Sequence, residues 1–263
     1  MKSYWDQLWT SAEECLPHAF VPGPKKLRGY WRYAYDQLFR RYLEQGEGKR
    51  LIEIGGGGSV WISYFSKYMG YQCTALDYSE QGCSLLKSML DRDNVEAQVI
   101  LADMFNPPQQ LLNNFDVIVS LGVVEHFDNL PNVVAALKQY AAPNGKIFTL
   151  IPNMRGFPGW LQKTFASDVY NLHTPYGPEE LRDAHLAVGL HVEECAYVLG
   201  PLFSVVNLVN GRGCAMRRTI QFLQTLGSLP FHALDLMGLA LTPNRWLSPY
   251  VLCTARLNEG SAS

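Results

Sequence analysis

The feature that most constrains this chain is a short apolar segment followed at once by four glycines, Gly55 to Gly58. Residues 51–54 are apolar except for Glu53, as is typical of a buried strand. Glycine tolerates positive φ and lets a ligand approach the backbone without meeting a Cβ atom. We therefore predict that the strand opens into a ligand-binding turn, which a helix over residues 60–69 follows.

The spacing of these glycines argues against a dinucleotide-binding loop. The pattern G-x-G-x-x-G places its third glycine where the following helix packs closely on the strand. Counted from Gly55 this position is Val60, and counted from Gly56 it is Trp61. Both side chains are bulky, so a pyrophosphate-binding loop is disfavoured.

The loop instead resembles the first motif of class I S-adenosylmethionine-dependent methyltransferases, in which an acid precedes glycines at alternate positions. The matching residues are Glu53, Gly55, Gly57 and Ser59, where serine replaces the last glycine of the family pattern. Serine is small enough to keep the turn. The resemblance implies S-adenosyl-L-methionine as cofactor, with Glu53 orienting the loop and contacting the cofactor's ammonium group, often through water.

Strand and helix patterns alternate after this loop. The sequence predicts a helix at residues 27–45, strands at 71–76, 96–101, 115–120, 146–151 and 190–199, a loop at 152–160, and helices beginning after Ser79, at Leu130 and at Pro178. Such alternation favours a parallel α/β sheet covered by helices on both faces. The resemblance adds an antiparallel last strand at residues 247–257. We expect a seven-stranded, mostly parallel, Rossmann-like sheet with a helical insertion before the last strand.

Polar residues follow the predicted strands at the edge where ligands of such sheets bind. The resemblance implies that Asp77 accepts the ribose hydroxyls and that Asp103 accepts from the adenine amino group. It also implies that the Met104 backbone contacts the adenine edge and that Ser120 belongs to the cofactor site. Tyr78 can lie against the adenine or remain exposed, and both aspartates have the alternative of being solvated loop acids.

Residues 120–127 resemble the fourth motif of the family, whose small-molecule form ends in Glu-His, here Glu125 and His126. His126 is the candidate base because an unperturbed imidazole titrates near neutral pH, and Glu125 could orient it or hold a metal. The structural alternative is that both brace the next helix. His173, in a later loop, is a second candidate for proton abstraction or acceptor contact, and we assign no metal as a cofactor.

Charge and cysteine content limit the partners and the compartment. The 22 Lys and Arg residues against 24 Asp and Glu residues leave a net charge of −2, so we expect no nucleic-acid partner. The six cysteines form no C-x-x-C pair, and we expect them to be reduced core residues. The first nine residues carry charges and no long apolar stretch, so we expect no secretory leader and a cytoplasmic location.

We expect four regions along the chain. They are an N-terminal helical lid at residues 1–48, a cofactor-binding core at 49–199, an apolar helical insertion at 200–246, and the last strand and tail at 247–263. The aromatic stripe that includes Trp5 and Trp9 fits either a lid or simple packing. The insertion has three alternatives: a lid over an apolar acceptor, a homodimer face, or a helix lying peripherally on a membrane with Arg212, Arg217 and Arg218 toward the lipid head groups.

These patterns predict a methyltransferase acting on a small apolar or aromatic molecule. One alternative is an enzyme that modifies a quinone or lipid and uses S-adenosylmethionine for chemistry other than methylation. Another is a non-catalytic scaffold protein that has kept the cofactor-binding fold.

Overall fold

The computed structural model describes residue 9 and residues 17–27, 29–207 and 214–257. Its strands are β1 Arg50–Ile54, β2 Gln72–Asp77, β3 Gln98–Leu101, β4 Phe115–Leu121, β5 Ala141–Pro152, β6 Leu190–Val198 and β7 Tyr250–Leu257. They form one seven-stranded sheet in the order β3-β2-β1-β4-β5-β7-β6. Strands β1 to β5 pair in parallel, and β7 is antiparallel to both of its neighbours. The predicted fold class is confirmed.

Helices connect these strands in the described part of the chain. They are α1 Tyr30–Tyr42, α2 Ile62–Lys67, α3 Glu80–Asp93, α4 Leu130–Lys138, α5 Phe157–Phe165, α6 Ser167–Tyr170, α7 Pro178–Ala187 and α8 Cys214–Leu236. Short 3-10 turns lie at Gln109–Leu111, Val124–His126 and Phe203–Val205. Ser79 caps α3 because its hydroxyl accepts from the Gly82 amide at 3.1 Å, so the predicted helix start is confirmed.

The core lies on both faces of the sheet, because the central strands alternate apolar side chains toward two sets of helices. On one face, Ile52 and Ile54 of β1 pack in a cluster with Val134 of α4. On the other face, Leu51 packs in a cluster with Phe39 of α1 and residues of α2. Both faces of β1 are therefore buried, which fixes the glycine loop at the strand's carboxyl end.

Two local predictions were wrong. The predicted loop at residues 152–160 contains the start of α5, because Pro158 occupies the first helical turn, where proline is tolerated. The predicted strand at 146–151 begins earlier, because β5 runs from Ala141 instead of Lys146. Its pairing with β4 shifts register between Phe115 and Val117, and Asn144 has a φ of 63°, so the first residues of β5 form an irregular, bulged segment.

The prediction that all cysteines are reduced was also wrong. Cys195 of β6 and Cys253 of β7 are bonded in a disulfide. They are direct partners in the antiparallel ladder, with Cα atoms 4.2 Å apart, and this pairing is invisible in the sequence spacing. Cys73 and Cys83 are free and buried. Cys15 and the side chain of Cys214 lie outside the described residues.

The insertion forms α8, which packs on the turn Phe203–Val205 and on α1. The hydroxyl of Ser228 accepts from the Phe203 amide at 3.1 Å, and the His232 ring lies 4.6 Å from the Tyr30 ring. Several apolar side chains of α8 are nevertheless exposed, including Phe222, Leu223 and Leu226. Among the described helices, none is long and apolar enough to cross a bilayer.

The side chains of Arg212, Arg217 and Arg218 lie outside the described residues, as does Trp5. The three alternatives for the insertion therefore stay open, and so do the predicted region boundaries.

Candidate active site

The glycine loop between β1 and α2 is folded as its sequence predicts. Gly55 and Gly58 have positive φ values of 75° and 62°. A Cβ atom on Gly55 would collide with a methyl group of Val123, and one on Gly57 would lie 2.7 Å from an Asp77 carboxylate oxygen. The loop can therefore approach the ends of β2 and β4 only because these positions lack side chains.

Asp77 ends β2 beside this loop, and backbone amides hold both of its carboxylate oxygens. Oδ2 accepts from the Gly57 amide and Oδ1 from the Ser79 amide, both at 2.8 Å. A carboxylate oxygen has two lone pairs and can accept more than one hydrogen bond. The side chain is thus buried, oriented and able to bind a ligand.

Glu53 lies beneath the loop and braces it. The Ser59 hydroxyl lies 2.8 Å from both oxygens of its carboxylate, so serine at the last motif position provides a loop contact that glycine could not. Burial raises the pKa of Glu53 to about 8, a shift that the Ser59 hydrogen bond opposes and the charge of Asp77 reinforces.

A cavity of about 660 Å³ opens at the carboxyl ends of β1 to β4, within the size range of small-ligand sites. Six of the predicted site residues line it: Gly55, Asp77, Tyr78, Asp103, Met104 and His126. The other five predicted residues are not among those that line it: Glu53, Gly57, Ser120, Glu125 and His173. Apolar walls with a few carboxylates suit a nucleoside that carries an amino-acid tail.

Asp103 and Met104, which follow β3, already make hydrogen bonds within the protein. Asp103 accepts from the Phe105 amide at 3.0 Å. The carbonyl of Met104 accepts from the Tyr140 hydroxyl at 2.9 Å and from the Gln139 amide at 2.8 Å. These bonds hold the loop after β3 against the core, while Tyr78 on the facing loop is 39% exposed.

His126 and His173 come together in the structure. The Nδ1 atom of His126 lies 2.8 Å from the Leu172 carbonyl, and the Thr174 amide donates to the Glu125 carbonyl at 2.7 Å. The two imidazole centroids are 4.6 Å apart. Burial lowers the pKa of His126, and burial followed by the charge of His126 lowers that of His173 to about 4. Both rings are therefore neutral at pH 7.

Glu125 is only 1% exposed, and neither carboxylate oxygen has a hydrogen-bond partner among the described residues. Burial raises its pKa to about 8. The buried Ser120 hydroxyl likewise has no partner in the described part of the chain. Unsatisfied buried polar atoms are rare in folded proteins and commonly mark a site for a ligand or ordered water.

Sequence reasoning missed an aromatic pair near this cluster. The Tyr35 hydroxyl of α1 donates to the Tyr250 hydroxyl of β7 at 2.6 Å. Burial, and to a smaller extent the charge of Glu125, raises the pKa of Tyr250 to about 12. The two tyrosines are 215 positions apart, so no sequence spacing could have joined them.

Trp9, from the predicted N-terminal lid, also lines the cavity. Its indole ring packs so closely over the glycine loop that a Cβ on Gly58 would lie 2.8 Å from it. The described residues of the 200–246 insertion do not line this cavity. Several of them line a separate cavity of about 590 Å³ together with residues of α1.

The sheet order, the glycine loop and the strand-end acids define a class I S-adenosylmethionine-dependent methyltransferase. The chain belongs to the methyltransferase domain family, whose model matches residues 27–194, more than half of the 263 residues.

Three similar proteins illustrate the range of this likeness. The ubiquinone biosynthesis O-methyltransferase of Nitrosococcus oceani is 27% identical over 101 residues, which are 38% of this chain and 42% of that protein. The protein of the same name from Yersinia pestis is 22% identical over 151 residues, or 56% of this chain and 62% of that one. The matched part of the chain thus spans about half the length of these relatives.

The third is a solved structure, phosphoethanolamine N-methyltransferase 2 of Haemonchus contortus in complex with S-adenosyl-L-methionine. It superposes with a TM-score of 0.60 at 13% identity, covering 96% of this chain and 57% of that one. At this identity the likeness concerns the fold alone.

Proposed function

We propose that this protein transfers a methyl group from S-adenosylmethionine to a hydroxyl group of a small apolar or aromatic molecule. The observation that carries the proposal is that His126 lies on the wall of the same cavity as Asp77 and Asp103. The acids expected to bind the cofactor and a neutral imidazole therefore line the same cavity.

The strand-end residues fit the cofactor. Asp77 is oriented by two backbone amides on the cavity wall, and a carboxylate there suits the ribose hydroxyls. Leu101 and Phe105 provide an apolar slot beside Asp103 for the adenine. When bound, the cofactor supplies an electrophilic methyl group on a sulfonium sulfur, so the protein's task is to position the acceptor and exclude water.

The acceptor is placed at the turn that contains Glu125 and His126. As the acceptor oxygen bonds to the methyl carbon, the carbon–sulfur bond breaks and the hydroxyl proton leaves at the cluster of Glu125, His126 and His173. His126 can accept that proton because burial keeps its ring neutral. The names of the two sequence relatives favour an aromatic hydroxyl as acceptor.

The experiment is a transfer assay with methyl-labelled cofactor and a panel of phenols, catechols and short-chain quinols. We expect labelled methyl ether on at least one acceptor, and strongly reduced product with His126→Gln. The control is His191→Gln, which changes an exposed histidine of β6. Consumption of cofactor without labelled product would show that the enzyme uses S-adenosylmethionine for chemistry other than methylation. Cofactor binding with no turnover on any acceptor would support the non-catalytic scaffold instead.

A further inference from the structure

Glu125, His126 and His173 bring three potential metal ligands to one point. Each offers one ligand atom, and these atoms all lie within 4.8 Å of one another. The first two residues belong to the 3-10 turn after β4, and the third belongs to the loop after α6. Backbone contacts join the two segments through Thr174 and Leu172, so the carboxylate of Glu125 is not needed to hold them together.

Both imidazoles are oriented by backbone carbonyls. Nδ1 of His126 lies 2.8 Å from the Leu172 carbonyl, and Nδ1 of His173 lies 2.7 Å from the Val169 carbonyl. A carbonyl accepts hydrogen bonds only, so a ring nitrogen that faces one donates its proton there. Metal-binding histidines show the same arrangement, in which the second nitrogen donates to a carbonyl or carboxylate.

The carboxylate of Glu125 is the second observation that points to a ligand. It is 1% exposed, and neither oxygen accepts a hydrogen bond from the described residues. A buried carboxylate without a partner is costly, and a bound cation is one of the few groups that compensates for it.

We infer that these three side chains form a binding site for one divalent transition-metal ion. Nitrogen and oxygen ligands lie 2.0–2.2 Å from zinc, so atoms sharing one tetrahedral ion are about 3.4 Å apart. The three ligand atoms therefore need to approach one another by at most about 1.4 Å. Two imidazoles and one carboxylate favour zinc, cobalt, iron or nickel over magnesium and calcium, which prefer oxygen ligands.

The role of the ion, unlike the site itself, rests on the proposed function. His126 lines the cavity wall, so an open coordination position would face the acceptor. A hydroxyl bound there would lose its proton to water, because the cation stabilises the resulting oxyanion. With the ion present, His126 acts as a ligand and no longer as the proton acceptor.

The test uses the full chain, without an affinity tag and dialysed against a chelator. Titration with Zn²⁺ in a calorimeter should show one site with a Kd of about 1 μM or lower, and Mg²⁺ should not compete at a thousandfold excess. Titration with Co²⁺ should give visible absorption bands that saturate at one equivalent. Glu125→Gln and His173→Gln should each weaken Zn²⁺ binding by at least about tenfold, whereas His191→Gln should leave it unchanged.

Zn²⁺ should also raise the melting temperature of the wild-type chain, and His173→Gln should abolish that increase. His173→Gln keeps the buried carboxylate of Glu125, so it still tests the metal site if Glu125→Gln does not fold. Absence of a stoichiometric site, or equal affinity in the wild type and both variants, would overturn the inference. Binding of S-adenosylhomocysteine to the metal-free chain is measured in parallel. If S-adenosylhomocysteine does not bind although Zn²⁺ does, the result contradicts the proposed function and leaves the metal site standing.

Discussion

The imidazole rings of His126 and His173 lie with their centroids 4.6 Å apart, beside the buried carboxylate of Glu125. The first ring also lines the cavity at the strand ends. The proposed function assigns the cofactor to the strand-end residues and the acceptor to this cluster, and the two assignments predict different effects of substitution.

Replacing His126 with glutamine should reduce methyl transfer by about 10²- to 10⁴-fold, the usual contribution of a proton-transfer group. The affinity for S-adenosylhomocysteine should change little, because the proposed function assigns His126 to the acceptor and not to the cofactor. Initial rates and calorimetric titration of the same preparation measure the two effects. An equal loss of rate and of cofactor affinity would contradict this division of roles.

Asp77→Asn should weaken S-adenosylhomocysteine binding by roughly ten- to a hundredfold, as expected for losing hydrogen bonds to a charged group. The change also puts an amide NH₂ against the Gly57 or Ser79 amide, which now donates to the carboxylate. Asp91→Asn, at an exposed acid in α3, is the matched control and should bind normally. Unchanged affinity in Asp77→Asn would show that the ribose is bound elsewhere.

Trp9 provides a test of the predicted lid. Because its ring packs over Gly58 and lines the cavity, Trp9→Ala should weaken cofactor binding by several-fold and speed its release. Trp160→Ala, which removes an exposed indole of α5, is the control. Stopped-flow fluorescence of cofactor release measures both variants, and identical release rates would reduce Trp9 to a packing residue.

Glu53 should make stability depend on pH. Its pKa is about 8 in the folded chain against 4.5 for the free group. Below pH 4.5 it is protonated in both states and contributes no pH dependence. Between pH 4.5 and 8 the unfolded chain releases the proton that the folded chain retains, so stability falls by up to about 1.4 kcal/mol per pH unit.

Glu53→Gln removes this fall. Its free energy of unfolding relative to wild type should therefore be more favourable at pH 8 than at pH 5, as measured by urea denaturation. Parallel pH profiles for the two proteins would mean that Glu53 is ionised in the folded state.

The disulfide between Cys195 and Cys253 should stabilise the β6–β7 edge. Reduction, or Cys195→Ser with Cys253→Ser, should lower the free energy of unfolding by about 2–4 kcal/mol. Alkylation of the denatured, unreduced chain followed by mass spectrometry should modify Cys73 and Cys83 and leave Cys195 and Cys253 unmodified. Modification of Cys195 and Cys253 in protein purified without reductant would show that the bond does not form.

The sequence was informative where the chemistry is local. The glycine loop after β1 and the aspartates at the ends of β2 and β3 were predicted because they lie at or close to the strand ends, which meet at one edge of a parallel sheet. The fold class followed from the same alternation of elements. Pro158 was misinterpreted as a loop residue although proline is accepted in a first helical turn.

The remaining features depend on tertiary pairing. The disulfide needs the register of β6 against β7, which joins residues 58 positions apart. His126 and His173 were separate candidates, and only the packing of the loop after α6 on the turn after β4 brings them together. The contact between Tyr35 and Tyr250 likewise requires α1 to dock beside β7.

Calorimetric titration of the purified chain with S-adenosylhomocysteine, alongside NAD, tests the central claim most directly. We predict one site with micromolar affinity for S-adenosylhomocysteine, no heat of binding with NAD, and loss of the site in Asp77→Asn. Binding of NAD instead, or of neither ligand, would contradict the assignment of the cavity at the strand ends to S-adenosylmethionine.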